Sequence, residues 1–179
     1  MTDTQWPRFM VFQQSELDEP FVHNGTVHAP DPEMALMNAR DVYYRRPKAE
    51  AMWVVPAESI FSVTLEEQTS KEWQQEAEGA GIEKEFHVFA KFSHQGQCEQ
   101  IGIVSANSHE AAMRLAIETY TDKQVLWWWV FPSDAVMASE AEDTSSMYDP
   151  SLEFDYKSQA AYPVVTMMRQ IHAKGKLEE

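Results

Sequence analysis

Hydrophobic and polar residues alternate in two stretches that lie far apart in the sequence. Phe86, Val88, Ala90 and Phe92 occupy every second position, which is the period expected of a β-strand with one buried face. The run Phe9-Met-Val-Phe12 has a similar apolar character near the N-terminus. Both stretches are therefore predicted to be strands.

These two stretches belong to an internal duplication. A shift of 77 residues superposes Phe9-Met-Val-Phe12 on Phe86-His-Val-Phe89 and gives 10 identities over the 36 positions 9–44. Chance alone would give about two. A shift of 76 then aligns Trp53-Val-Val-Pro56 with Trp129-Val-Phe-Pro132. The chain is therefore predicted to contain two copies of one structural unit.

Each copy is predicted to fold as β-β-α-β. The second strand covers residues 22–29 in copy one and 99–106 in copy two, and an amphipathic helix follows in each copy. The last strand, Met52–Val55 or Val125–Phe131, is apolar at consecutive positions, so both of its faces are expected to be covered. We therefore expect this strand to be central in the sheet.

Sequence signals mark the start of both helices. In copy one, Asp31 is a suitable N-cap and Pro32 stands at the first helical position. In copy two, Asn107 and Glu110 stand three residues apart, which is the spacing of a capping box. The second helix is therefore predicted to follow Asn107.

The predicted fold class is α+β, with two layers, a mostly antiparallel sheet and two helices on one side. One copy of about 55 residues would bury too little surface to be stable alone, so the two copies are expected to pack as an intrachain pseudo-dimer. The predicted organisation is repeat one at 1–65, an acidic connector at 66–85, repeat two at 86–139, and an acidic stretch with an extended partner-binding tail at 140–179.

The formal net charge of −15 on 179 residues comes mostly from segments outside the two copies. Residues 66–85 hold seven acidic and two basic side chains, and residues 140–155 hold six acidic and no basic ones. Nucleic-acid binding and polybasic membrane anchoring both need clustered Lys and Arg. The charge therefore argues against a nucleic-acid partner and against a membrane partner.

The sequence carries no motif that points to catalysis. None of the six histidines stands in a Glu-x-x-His or His-Glu-x-x-His pattern, and no Gly-rich phosphate loop or Gly-x-Ser-x-Gly elbow occurs. The single cysteine, Cys98, cannot form an internal disulfide and has no adjacent basic residue to activate it. Because these motifs are missing, we expect no metal and no cofactor. The sequence shows no apolar run of 18 residues and no signal peptide, so we expect a cytoplasmic protein.

Two groups of residues do stand out. The first is Trp127-Trp128-Trp129, because neighbours on a strand point to opposite faces and at least one ring should leave the core or lie at an edge. Core filling is one interpretation, and contact of Trp127 with a partner protein is the other.

The second group closes the first helix and contains Arg40, Asp41, Arg45 and Arg46. Cations at a helix C-terminus interact favourably with the helix dipole, which is a sufficient structural explanation. Copy two, however, has Ile117, Glu118, Asp122 and Lys123 at these positions. A requirement of the fold should appear in both copies, so the difference favours a docking function for copy one.

These residues belong to a longer pattern that resembles a known family. Copy one reads Trp6-Pro-Arg-Phe-x-Val-Phe12, then Gly25-x-Val-His-Ala-x-Asp-x-Glu-Met-Ala-Leu-x-Asn-Ala-Arg-Asp41, Arg45-Arg46 and Trp53-Val-Val55. This pattern closely resembles the phenylacetic acid degradation B family, the B component of multicomponent phenylacetyl-CoA epoxidases. The segment from Tyr148-Asp-Pro150 to Tyr162-Pro163 resembles that family's C-terminus. The likeness covers roughly residues 6–65 and 147–172, with copy two as a distant relative.

The resemblance implies a structural role in a complex and no catalytic activity of this chain. In such complexes the di-iron A subunit pairs with a C subunit, and the non-catalytic B component forms a bridge between A–C pairs. The fused double copy would replace a homodimer by an intrachain pseudo-dimer, with self-association through the repeats as a further possibility. The expected partner contacts are Trp6, Arg40, Asp41, Arg45, Arg46, Trp127, Tyr148 and Tyr162.

A second class of function is kept open by the tryptophans. A small α+β enzyme or ligand-binding protein would enclose a Trp-lined apolar pocket of several hundred Å³ with a few polar groups. A core without such a pocket would count against this alternative.

Overall fold

The computed structural model describes residues 6–44, 49–68, 81–120, 124–149 and 167–169, and these residues form one sheet with helices packed against it. The strands are β1 (Arg8–Gln14), β2 (Val22–His28), β3 (Ala51–Pro56), β4 (Phe61–Thr64), β5 (Lys84–Lys91), β6 (Cys98–Ala106), β7 (Trp127–Pro132) and β8 (Met137–Ala138). The helices are α1 (Pro32–Tyr43), α2 (Leu65–Gln68), α3 (His109–Thr119) and α4 (Thr144–Tyr148), with 3₁₀ turns at Ala57–Ser59, Ser133–Ala135 and Ala141–Asp143.

The predicted fold class is confirmed. The order β-β-α-β occurs in β1–β2–α1–β3 and again in β5–β6–α3–β7. The eight strands form one sheet in the order β4-β7-β5-β6-β2-β1-β3-β8, and every pairing between them is antiparallel. The chain is therefore an α+β protein built from two copies of one unit.

The two repeats meet at the middle of the sheet, where β2 lies beside β6. Val22 pairs there with Glu99, which is its own counterpart at the shift of 77 residues. The amide of Gln100 donates a hydrogen bond to the Phe21 carbonyl over 2.8 Å. Two equivalent residues that face each other across a strand pair mark a local twofold axis, as in a symmetric dimer.

Each repeat sends its next strand into the other repeat. β4 follows the β-β-α-β unit of repeat one and pairs with β7 of repeat two, with Phe61 opposite Val130 and Ser62 opposite Trp129. β8 follows the β-β-α-β unit of repeat two and pairs with β3 of repeat one, with Trp53 opposite Ala138. This exchange of strands ties the repeats together by backbone hydrogen bonds on both sides of the axis.

The prediction that the last strand of each copy is central was wrong. β3 and β7 are the second strands from the two edges, each covered by the short exchanged strand. The centre is occupied by β2 and β6, which carry more polar residues. The apolar run in β3 and β7 instead reflects burial on both faces, because each lies between a helix and an inner cluster of aromatic side chains.

Alternate residues of the strands pack into hydrophobic clusters on opposite faces of the sheet. Val11 of β1 packs with α1 on one face, while the adjacent Phe12 packs on the other. Repeat two does the same with Val88 under α3 and Phe89 on the opposite face. Both helices therefore cover one face of the sheet, as predicted from the sequence.

The face of the sheet without helices is concave, so that side chains of distant strands meet across it. The ring centroids of Trp53 on β3 and His87 on β5 lie 4.7 Å apart. Those strands are four positions apart in the sheet order, which would separate them by about 19 Å in a flat sheet. The sheet must therefore curl, and its concave face holds an aromatic inner cluster of Phe12, Phe21, Val55, Phe89, Cys98 and Phe131.

Helix starts agree with the sequence in one copy and not in the other. Asp31 caps α1 as predicted, and its carboxylate accepts a hydrogen bond from the Met34 amide over 2.7 Å. In repeat two the cap is Ser108, whose hydroxyl accepts from the Ala111 amide over 3.1 Å. The prediction of a capping box at Asn107 was wrong by one residue, because Ser108 is the true counterpart of Asp31 at the shift of 77.

We expect Asp31→Ala and Ser108→Ala each to lower the free energy of unfolding by about 1 kcal/mol, because each leaves an amide of the first helical turn without its acceptor. Urea denaturation followed by circular dichroism measures the change. Asn107→Ala is the matched control and should cost less than Ser108→Ala; equal losses would contradict the assignment of the cap.

The acidic stretch after repeat two is structured where it is described. Ser139 donates its amide to the Met52 carbonyl over 2.8 Å and accepts the Met52 amide at its hydroxyl over 3.0 Å. α4 then places Tyr148 against Tyr44 of repeat one. The segment up to residue 149 therefore packs on repeat one. Residues 150–166 and 170–179 of the predicted tail lie outside the described residues, as do residues 69–80 of the predicted connector.

Candidate partner-binding surface

The outward face of α1 is unusually apolar for a surface helix. Met34, Met37 and Val42 are 46, 44 and 61% exposed, while the residues between them that face the sheet are buried. Met34 and Val42 lie two turns apart on one stripe of the helix, and Met37 lies beside them. Exposed apolar groups that cluster in this way are typical of protein contact sites.

The equivalent face of α3 is more polar. Ala111, Arg114 and Thr119 stand at the positions of Met34, Met37 and Val42, and Leu115 is the large apolar residue exposed there, at 40%. The two helices bury the same positions against the sheet and differ on their outer faces. The fold therefore does not require the apolar face of α1.

Arg40 and Asp41 lie beside this face in the last turn of α1. Arg40 Nε and Asp41 Oδ1 are 3.6 Å apart, and their side chains are 34 and 66% exposed. An exposed pair at this distance contributes little to stability. Both groups are therefore accessible to a partner. Arg45 and Arg46, which were predicted to act with them, lie outside the described residues.

Trp6 adjoins the same side of repeat one through His28. The Trp6 carbonyl accepts a hydrogen bond from His28 Nδ1 over 2.8 Å, and the His28 carbonyl accepts one from Asn38 of α1 over 3.2 Å. The Trp6 side chain is 59% exposed and lines a groove of about 420 Å³ with Pro56 and Glu58. Trp6 is thus linked to the outward stripe of α1, in which Asn38 lies between Met34 and Val42. We call Trp6, Met34, Met37, Arg40, Asp41 and Val42 the α1 surface.

The three consecutive tryptophans divide between the two faces of β7. Trp128 is 2% exposed and packs under α3. Trp129 packs on the concave side, and Trp127 beside it is 42% exposed with its ring centroid 6.1 Å from that of Trp129. Trp127 is therefore the ring of the three that reaches furthest into solvent.

Trp127 and Trp129 border a cleft of about 450 Å³ at the mouth of the concave side, which we call the Trp cleft. Burial raises the pKa of the Cys98 thiol to about 12, and the neighbouring Lys91 charge opposes that rise. Burial likewise lowers the pKa of His23. The cleft is lined by Met10, His23, Asn24, Lys91, Gly96, Gln97, Cys98, Trp127 and Trp129.

Of the two predicted tyrosines, only Tyr148 belongs to the described residues. Tyr148 is 3% exposed; its ring centroid lies 5.7 Å from that of Tyr44, and its hydroxyl donates to Ser139 Oγ over 3.4 Å. This burial raises its pKa. The Tyr148 side chain thus packs inside the chain rather than facing a partner, because α4 folds back on repeat one. Tyr162 lies outside the described residues.

Sequence reasoning missed the exposed methionines of α1. It kept a Trp-lined pocket open as an alternative but did not place the Trp cleft beside Cys98. Both could have been found in the duplication, because Met34 and Met37 align with Ala111 and Arg114, and Phe21 aligns with Cys98. Within the described ranges, no group of three or more His, Cys, Asp and Glu side chains could hold a metal ion. None of the helices in those same ranges is long and apolar enough to cross a membrane.

Comparisons with known proteins agree with the duplication. The model of the family described as phenylacetic acid degradation B matches residues 5–79 and again 83–169, so repeat two matches the family itself and the likeness is wider than expected from the sequence. The chain is 40% identical over 67 residues to the B component of 1,2-phenylacetyl-CoA epoxidase from Escherichia coli (strain K12). That alignment covers 37% of this chain and 70% of the relative. No solved structure matches. On these matches, the chain belongs to the phenylacetic acid degradation B family.

Proposed function

We propose that this chain is a non-catalytic, bridging subunit of a multicomponent di-iron phenylacetyl-CoA epoxidase in aerobic phenylacetate degradation. The name of the similar Escherichia coli protein, the B component of an epoxidase, supports the kind of complex. The A and C subunits of that complex are the partners. A cytoplasmic location fits such a catabolic assembly.

The observation that carries the docking role is the difference between the two helices. α1 and α3 bury equivalent residues, yet α1 exposes Met34 and Met37 where α3 has Ala111 and Arg114. The requirements of the fold explain why the buried positions are shared, but they do not explain why the outer faces of the two helices differ. An apolar centre flanked by Arg40 and Asp41 has the composition of a protein interface, in which a polar rim surrounds an apolar core.

Because the α1 surface belongs to repeat one alone, each chain has one docking surface for an A–C pair. A chain with one docking face bridges two A–C pairs only by associating with a second copy of itself. Native mass spectrometry of the purified complex distinguishes the arrangements, since one-sided docking predicts one A–C pair for each chain of this protein. Two A–C pairs held by a single chain would contradict it.

We expect the double variant Met34→Asp, Met37→Asp to lose co-purification with the A and C subunits at least tenfold, because burying two new carboxylates in an apolar interface is costly. The measurement is pull-down of tagged chain from cells that co-express A and C. Leu115→Asp on α3 is the matched control and should leave the yield of A and C unchanged.

Charge reversal of Arg45 and Arg46 to Glu tests the basic residues in the same pull-down. If this pair docks, recovery of A and C falls while the far-ultraviolet circular dichroism spectrum stays the same. Unchanged assembly in both the methionine and the arginine variants would refute docking through α1 and the residues that follow it.

The Trp cleft supports a second candidate function, the binding of a small molecule. Its volume of about 450 Å³ lies in the range of ligand pockets, and its lining mixes tryptophan rings with Lys91 and His23. The cleft opens from the concave side of the sheet, whereas the α1 surface lies on the helical side. The two functions therefore use different surfaces and do not exclude each other.

A further inference from the structure

The Trp cleft lies where the two repeats differ in sequence. In repeat one, Phe21 stacks on Trp53 with ring centroids 3.6 Å apart and an angle of 16° between the planes. The counterparts in repeat two are Cys98 and Trp129. Cys98 has no ring, so Trp129 lacks the stacked partner that Trp53 has. The rings that do approach Trp129, those of Phe12, His23 and Trp127, stand at 89, 86 and 71° to it and none of them is stacked. Repeat one thus shows which group fits against this tryptophan.

The space beside Trp129 is large enough for an aromatic ring and is open to solvent. The cleft has a volume of about 450 Å³. Trp127 stands at its border, where repeat one has the small Ala51. Its ring is nearly perpendicular to that of Trp129, at 71°. A flat ring that enters would lie on one indole and meet the other at its edge, which are the two preferred aromatic geometries.

The cleft also carries a positive charge that repeat one lacks. Lys91 stands at the position of Gln14, whose amide donates to the carbonyls of Leu17 and Glu19 over 3.0 and 2.8 Å. Lys91 lines the cleft together with Cys98 and His23. Among the described residues Lys91 forms no ion pair. In a chain of net charge −15, an unpaired cation in a cleft favours an anionic ligand.

The His23 ring forms part of the cleft wall and packs edge-on against Trp129, with ring centroids 4.9 Å apart. His23 Nε2 is buried and has no hydrogen-bond partner among the described residues, and His23 lines the cleft.

We propose that the Trp cleft binds a small aromatic carboxylate, with its ring stacked on Trp129 as Phe21 stacks on Trp53, and with its carboxylate directed at the Lys91 ammonium group. The site is independent of the α1 surface and of the proposed subunit role. It is formed by this chain alone.

Isothermal titration calorimetry of the full chain with phenylacetate tests the proposal. We expect saturable binding of one molecule per chain, and shifts of the indole N–H signals of Trp127 and Trp129 in nuclear magnetic resonance spectra. Phenylacetamide lacks the charge and cyclohexylacetate lacks the aromatic ring, so each should bind at least tenfold more weakly. The absence of saturable phenylacetate binding would overturn the proposal.

Variants that copy repeat one provide the matched controls. Cys98→Phe supplies the ring that Phe21 supplies in repeat one and should abolish phenylacetate binding. Lys91→Gln should weaken binding at least tenfold. Lys84→Gln removes the same charge from the other end of β5, where Lys84 pairs with Asp134 over 2.6 Å, and should leave binding unchanged. Equal affinity in the Lys91 and Lys84 variants would overturn the role of the charge.

The same variants separate a small ligand from a protein side chain. If Cys98→Phe blocks co-purification with the A and C subunits and wild-type chain does not bind phenylacetate, the cleft takes an aromatic side chain of a partner and the proposal is wrong. If phenylacetate binds and assembly is unaffected, the proposal stands whatever the outcome of the α1 variants.

Discussion

Replacing Phe12 by Ala is expected to lower the free energy of unfolding by about 3–5 kcal/mol. Phe12 is fully buried at the contact between the repeats, with its ring centroid 4.6 Å from that of Phe89 and 5.2 Å from that of Phe131. Removing the ring opens a cavity between strands that belong to different repeats. Because both repeats line that cavity, neither can close it alone, and the loss should lie near the upper end of the range.

Urea denaturation followed by both tryptophan fluorescence and far-ultraviolet circular dichroism measures this loss. The two signals should coincide in the wild type, since the repeats share the inner cluster and unfold as one unit. Leu17→Ala is the control, because Leu17 is 77% exposed and its truncation should change stability by less than about 0.5 kcal/mol. A loss below about 1 kcal/mol for Phe12→Ala would show that the inner cluster does not hold the repeats together.

Gly25→Ala is expected to cost about 3 kcal/mol and Gly102→Ala about 1–3 kcal/mol. Each glycine lies at a β-bulge, where the register shifts between Val11 and Phe12 or between Val88 and Phe89. A Cβ atom at Gly25 would overlap the Tyr43 hydroxyl, and one at Gly102 would overlap the Tyr120 hydroxyl. The Tyr43 hydroxyl cannot simply move away, because it both accepts from the Thr26 amide over 2.9 Å and donates to the Thr26 carbonyl over 3.0 Å.

The two glycines differ in their backbones, which gives the experiment its control. Gly25 has φ of 153°, a conformation that residues with a Cβ atom avoid, whereas Gly102 has no positive φ. Gly102→Ala should therefore lower the free energy of unfolding only slightly when Tyr120 is already replaced by Ala. Gly25→Ala should keep part of its cost even when Tyr43 is already replaced by Ala. Strictly additive losses in both double-mutant cycles would rule out the steric explanation.

The duplication made most of the fold predictable. Shared residues such as Phe9, Gly25 and Ala39 with their counterparts at the shift of 77 identified one β-β-α-β unit twice. The place of β3 and β7 near the edges was not predictable from their composition. An apolar run shows that both faces of a strand are covered, but not how many strands lie beyond it. The pairing partners β4 and β8 are too short to show a clear alternation of their own.

The candidate surfaces were only partly predictable, for a related reason. The difference between Arg40 and Ile117 directed attention to the end of α1, and the exposed Met34 and Met37 lie on the same helix. The burial of Tyr148 could not be predicted, because it depends on the path of the chain after β8. The Trp cleft required the curl of the sheet, which brings Trp127 and Trp129 of β7 to Met10 of β1 and His23 of β2.

The exchange of strands also dictates an order of events on the ribosome. β3 lacks its outer neighbour until β8 has been synthesised roughly 80 residues later, which takes about 4–16 s at ordinary elongation rates. Throughout that interval the apolar residues Ala51–Pro56 form an unpaired edge, the kind of edge that promotes aggregation. A nascent chain that stops after repeat one therefore exposes an aggregation-prone edge strand. The native structure of repeat one depends on the translation of repeat two.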